Sequence, residues 1–120
     1  MIQVKRVYDV AGSVGGVQFL VDRIWPRGVK KQDLHLQAWL KDVAPSDELR
    51  RWFGHDPGRW DEFRSRYFVE LDRNRQAWCP LLEAARKGSI ALLYGARDTE
   101  HNNAIALKDY LEHALKTREC

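Results

Sequence analysis

The chain has 120 residues, room for one domain with a single core but not for a second. Its 44% hydrophobic and 31% charged content excludes a disordered chain, and 20 basic against 17 acidic residues leave a net charge of only +3, too small by itself to imply nucleic acid. No apolar run approaches the ~20 residues that cross a bilayer. No apolar stretch follows the charges of Met1-Ile2-Gln3-Val4-Lys5-Arg6 either, so neither a membrane partner nor a signal peptide is expected, and a cytoplasmic location is the default. Cys79 and Cys120 stand far apart without C-x-x-C spacing; a disulfide framework or cysteine zinc site is not expected, and Cys79 reads as a small buried hydrophobe.

In chain order, Ile2 to Tyr8 alternates apolar and polar residues as a strand does. Asp9 to Gly16 is a glycine-rich loop, too short for a helical crossover, so the first two strands are expected to form an antiparallel hairpin, with a compact parallel connection as the competitor. Val17 to Asp22 is the second strand, stopped by Trp25-Pro26 because proline cannot donate to a ladder. Leu36, Trp39, Leu40 and Val43 fall at i, i+3, i+4 and i+7, which predicts a helix ending at Ala44-Pro45. Ser46 is the candidate N-cap of the next helix, with Asp47 and Glu48 in its first turn and Gly54 as a left-handed stop. Asp56-Pro57 opens a third helix whose buried stripe is Trp60, Phe63, Tyr67 and Leu71. A short helix follows from Cys79-Pro80 to Gly88, then a buried strand from Ser89 to Tyr94, a turn from Gly95 to Asp98, and a last helix from Thr99. These elements specify a single α/β domain over residues 1–120: a small mixed sheet flanked by helices in three layers. The second strand and the Ile90 strand should be parallel through a right-handed crossover. Their carboxyl ends, where such sheets place a ligand crevice, then bring Asp22-Arg23 near Arg97-Asp98.

Two clusters could carry chemistry there. Arg23 and Arg27 flank the rigid Trp25-Pro26 turn, and a guanidinium fork suits a carboxylate or a phosphate. The plainer reading pairs Arg23 with Asp22 or Asp98 and leaves Arg27 solvated. At the opening of the last helix, Asp98 or Thr99 would cap free N–H groups, while His101 and Asn102 could reach a ligand; His101 is the natural acid/base, against the reading of an idle exposed histidine. Arg50 could add a third guanidinium. Ser46 lacks a G-x-S-x-G elbow and reads as a cap. No phosphate-loop or dinucleotide glycine pattern occurs, and His35, His55, His101 and His113 show no ligand spacing, so no cofactor and no metal are expected. Arg59, Arg64, Arg66, Arg73 and Arg75 could form a nucleic-acid face, although Asp61, Glu62, Glu70 and Asp72 are interleaved with them.

The segments Val4-Lys5-Arg6-Val7-Tyr8, Leu20-Val21-Asp22-Arg23-Ile24-Trp25-Pro26-Arg27-Gly28 and Ala44 to Asp56, together with Phe63-Arg64-Ser65-Arg66-Tyr67 and Leu92 to Ala104, resemble the YeaO-like family of the group called domain of unknown function 488. The resemblance covers nearly the whole chain. It implies Arg6, Asp22, Arg23, Arg27, Ser46, Arg50, Tyr67, Asp98, His101 and Asn102 as site residues. One departure is local: the loop Asp9 to Gly16 lacks the Asp-Gly pair usual before the second strand. The leading expectation is an arginine-rich pocket for a phosphorylated or carboxylated small molecule, with or without catalysis, in which Arg23, Arg27 and Arg50 clamp the anion, His101 serves as acid/base, and Asp22 or Asp98 orients these groups. The rivals are a nucleic-acid module on the Arg59–Arg75 face and a domain with no ligand, its arginines tied in internal ion pairs.

Overall fold

A computed structural model of the chain describes residues 1–9, 16–117 and 120. The expected loop between the first two strands, with its missing Asp-Gly pair, lies largely outside them. Four strands form one sheet: β1 (Ile2–Arg6), β2 (Val17–Leu20), β3 (Leu36–Trp39) and β4 (Ile90–Tyr94), in the order β1-β4-β2-β3. Every pairing is parallel. β4 is central and all five of its side chains are buried, which is what an uninterrupted Ile-Ala-Leu-Leu-Tyr run requires of a strand covered on both faces. Four helices complete the chain: α1 (Asp47–Phe53), α2 (Trp60–Asp72), α3 (Arg75–Lys87) and α4 (Asn103–Thr117).

The α/β class and the parallel pairing of β2 with the Ile90 strand agree with the sequence reading. The hairpin does not form, and the sheet is therefore parallel throughout rather than mixed. β1 and β2 flank β4 instead of pairing with each other. The ten residues between Arg6 and Val17 can reach about 33 Å when extended, enough to run back along a five-residue strand and step over its neighbour without a helix. Val7, in a single 3-10 turn after β1, is buried on that route.

The helix expected over Leu36 to Val43 is instead a bulged strand, Leu36–Trp39, followed by a 3-10 turn, Lys41–Val43. Gln18 pairs with Leu36 while the next residue, Phe19, pairs with Ala38, so Gln37 is the extra residue. One inserted residue lets Leu36 and Trp39 share a face while Ala38 and Leu40 take the other, and the resulting three-residue spacing imitates a helical stripe. α3 starts four residues earlier than expected and holds Pro80 inside it; buried Trp78 anchors its first turn by donating its indole N–H to the Leu71 carbonyl at 2.8 Å. α4 begins at Asn103, four residues later than expected, because Asp98 and Asn102 hold the intervening turn.

All four helices pack on one face of the sheet, against Phe19, Val21, Ile90, Leu92 and Tyr94. The other face carries no α-helix among the described residues. It is closed by connecting segments and the edge strand, where Val7, Leu34, Trp25, Val29 and Trp39 of β3 cover Leu20, Ala91 and Leu93. The third layer is thus loop, not helix. Cys79 and Cys120 are joined in a disulfide, their Cα atoms 5.6 Å apart, contrary to the reading of Cys79 as a plain hydrophobe. The pairing follows from packing: Trp78 of α3 meets Tyr110 of α4 edge-on at 5.4 Å, drawing together segments whose cysteines are 41 residues apart.

Candidate functional site

At the carboxyl ends of β2 and β4 the chain leaves a hollow of about 400 Å³. Its floor is tied by Asp22. One carboxylate oxygen accepts the Gly95 N–H at 2.8 Å, and the other accepts the Asn103 side-chain amide at 3.1 Å. Asn103 also donates to the Val21 carbonyl at 3.0 Å, so the opening of α4 is fastened to the end of β2. A Cβ on Gly95 would stand 3.3 Å from the Asp22 carboxylate and 3.5 Å from Pro26, so a side chain there would press the carboxylate back by a few tenths of an ångström. Burial pushes the Asp22 carboxyl above its ordinary value of 3.8, outweighing the Gly95 and Asn103 hydrogen bonds and the Arg50 charge, which pull it down.

The bend after β2 is set from outside. Trp39 donates its indole N–H to the Asp22 carbonyl at 2.7 Å, Trp25 donates to the Val29 carbonyl at 2.6 Å, and the two rings meet edge-on at 5.3 Å. Tyr8 donates its hydroxyl to the Arg27 carbonyl at 2.7 Å. Arg23 points back toward the entrance of α1, donating to the Pro45 and Ala44 carbonyls at 3.2 and 3.1 Å, with Asp47 at 3.9 Å. It pairs with neither Asp22 nor Asp98. Arg27 is exposed, and its guanidinium makes no hydrogen bond or ion pair among the described residues. Arg50 reaches Asp47 at 3.2 Å, both side chains being about half exposed.

Across the hollow stands His101. Its Nδ1 lies 2.9 Å from Asp98, whose other oxygen accepts the Glu100 and His101 N–H groups at 2.8 and 3.0 Å. The hydrogen bonds from the Glu100 and His101 N–H groups hold the Asp98 carboxyl below its ordinary value, with the His101 side chain adding to the effect. An ionised carboxylate can only accept, so Nδ1 carries the proton and Nε2 is the ring atom left over. Trp60 packs edge-on to the imidazole at 5.4 Å. Asn102 is buried, its amide donating to the Asp98 carbonyl at 3.0 Å and its oxygen accepting the Ile105 N–H at 3.0 Å.

Of the residues singled out in the sequence, Asp22, Arg23, Arg27, Arg50, His101 and Asn102 line this one hollow. Arg6, Ser46, Tyr67 and Asp98 do not; each supports it from behind. Arg6 donates to the Ala96 carbonyl at 2.9 Å and covers the Tyr8 ring. Ser46 caps α1 through the Leu49 N–H at 3.1 Å and donates to Glu70 at 2.6 Å, while Gly54 ends α1 in the left-handed conformation with φ +54°. Tyr67, fully buried, donates to the Val43 carbonyl at 2.5 Å, and burial pushes its phenol up. Sequence reasoning missed Tyr8, Gly95 and Asn103; the only available signal was their place at strand ends and at a helix opening. Phe53, Phe63, Ile24 and Pro26 supply apolar wall.

On the outer helices, Arg59 pairs with Asp56 at 3.7 Å, Arg64 with Asp109 at 2.9 Å, and Arg66 with Glu62. Arg59 and Arg66 both cover the Trp52 ring. Among the described residues no three His, Cys, Asp or Glu side chains converge to hold a metal ion, and no helix is long and apolar enough to cross a membrane.

A family model described as the inactive DUF488-N3 subclade matches residues 1–120. The uncharacterized protein YeaO of Escherichia coli (strain K12) is 44% identical over 110 residues, covering 92% of this chain and 96% of that protein. The uncharacterized protein Rv3073c of Mycobacterium tuberculosis (strain ATCC 25618 / H37Rv) is 39% identical over 110 residues, covering 92% of each. No solved structure matches the chain. The match along the full length, with the Asp22–Arg27 bend and the Asp98–Asn103 turn within it, makes the chain a member of the YeaO-like DUF488 family.

Proposed function

We propose that the protein binds a small organic anion in the hollow at the β2 and β4 ends and does not turn it over. The observation that carries this reading is the meeting of two distant segments. The bend bearing Arg27 and the turn bearing His101 share one cavity of about 400 Å³, within the range of small-molecule sites. Arg27 supplies an uncommitted fork for the anion, and Arg50 stands beside it. Turnover has little support in the side chains. Ser46 is engaged by Leu49 and Glu70, Cys79 is in a disulfide, and the family model that matches carries the word inactive in its description.

The test is a calorimetric and thermal-shift screen of carboxylates and phosphate esters against wild type and Arg27→Ala. Removing a charge-assisted pair should weaken any ligand about tenfold or more, with little loss of stability because the side chain is exposed. Equal binding by both proteins would place recognition elsewhere. Arg23→Ala is the wrong probe, since it frees the Ala44 and Pro45 carbonyls and loosens the entrance of α1. A nucleic-acid face at Arg59–Arg75 is the weaker reading, because three of its five arginines are paired with acidic neighbours. Binding of DNA or RNA with a steep salt dependence would reverse that order.

A further inference from the structure

We propose that the ligand of this hollow is an apolar, ring-sized molecule ending in a single carboxylate, rather than a phosphate ester. This rests on the binding reading above and narrows it. Phosphate sites are built from several free backbone N–H groups, most often at a helix opening. Here five backbone donors near the hollow are engaged. The N–H groups of Glu100 and His101 are taken by Asp98, that of Ile105 by Asn102, that of Gly95 by Asp22 and that of Ser46 by Glu70. Part of the helix opening that suggested an anion in the sequence is thus taken up by its own side chains.

The charges around the hollow match one negative group, not two. Arg23 is turned to the Ala44 and Pro45 carbonyls, and Arg50 is shared with Asp47. That leaves Arg27 as the guanidinium without a partner among the described residues, and the Asp22 carboxyl on the floor opposes a second negative charge. A planar fork meets a planar carboxylate through two parallel hydrogen bonds. The rest of the cavity is built for an apolar body. Phe53, Phe63 and Pro26 form its walls, and at its mouth Ile24 and Tyr8 stand 57% and 47% exposed. Large apolar side chains left open beside a cavity are what such a body would cover.

The experiment titrates the full-length chain by calorimetry and by amide chemical shifts with matched probes: phenylacetate and indole-3-acetate, the neutral phenylacetamide, phenyl phosphate and inorganic phosphate. The expected result is saturable binding of the two arylacetates, at least tenfold weaker binding of the amide and of both phosphates, and shifts centred on Ile24, Arg27 and His101. Arg27→Ala should lose about tenfold or more, and Arg27→Lys, which keeps the charge without the fork, should fall between. Tighter Arg27-dependent binding of phenyl phosphate would overturn the carboxylate inference while leaving the binding reading intact. Equal binding of acid and amide would also overturn it. Should no probe bind up to millimolar concentration, or should Arg27→Ala bind the arylacetates as wild type does, both readings fall.

Discussion

The two faces of the sheet are closed in different ways. One is packed by four helices with side chains as large as Trp78 and Tyr67 fully buried. The other is closed mainly by connecting chain, with Leu34 and Trp25, joined by Trp39 of β3, laid over Leu20 and Leu93. The first face is a conventional core whose role is stability. The second is small, yet it fixes the bend that carries Arg23 and Arg27, because the Trp39 indole holds the Asp22 carbonyl and the Trp25 indole holds that of Val29. The loop face thus sets the aim of the bend, while the helical face carries most of the stability and also supplies the opposite wall of the hollow through Phe53, Phe63 and His101.

That division can be broken from either side. The largest effect should come from Trp78→Ala on the helical face, about 3–5 kcal/mol in urea unfolding, with affinity for any hollow ligand unchanged in the fraction still folded. Leu34→Ala on the loop face should lose less stability, about 2–3 kcal/mol, but weaken ligand binding severalfold as the bend relaxes. Unaltered binding there would show that the loop layer does not hold the site. Gly95→Ala places a methyl against Asp22 and Pro26 and should cost about 1–2 kcal/mol, readable as a lower melting temperature. The smallest effect is in pH dependence. Because folding raises the Asp22 pKa, its contribution is fully present below 3.8 and is lost as pH rises through the raised folded value. Asp98, lowered by folding, acts on the other side, contributing above 3.8 and failing as pH falls through its lowered value. Urea melts taken upward from pH 3.8 should therefore show stability declining in wild type and a flatter curve in Asp22→Asn. Parallel curves would mean that Asp22 is not desolvated.

Much of the helical face was legible along the chain. Ser46 and Gly54 bound α1, Asp56-Pro57 opens the turn into α2, and the Ile90–Tyr94 run could only be a strand covered on both sides. The loop face was not, because bulge and crossover leave patterns that belong to other elements. One extra residue at Gln37 made β3 look helical, and a connection too short for a helix made β1 and β2 look like a hairpin. At the candidate site, the residue types at the bend and at the opening of α4 could be picked out in advance. Their division of labour could not, since Arg23 and Arg27 differ only in what lies within 4 Å of each guanidinium.

By itself the sequence determined the α/β class, the bounds of α1 set by Ser46 and Gly54, and the parallel relation of β2 and β4, because these depend on residues within a few positions of one another or on the length of a crossover. Only the tertiary structure decided which strand stands in the middle, that Cys79 meets Cys120, and which arginine is left facing the hollow. Those outcomes turn on partners about 20 to 90 residues away, and their contacts exist only once both faces of the sheet are covered.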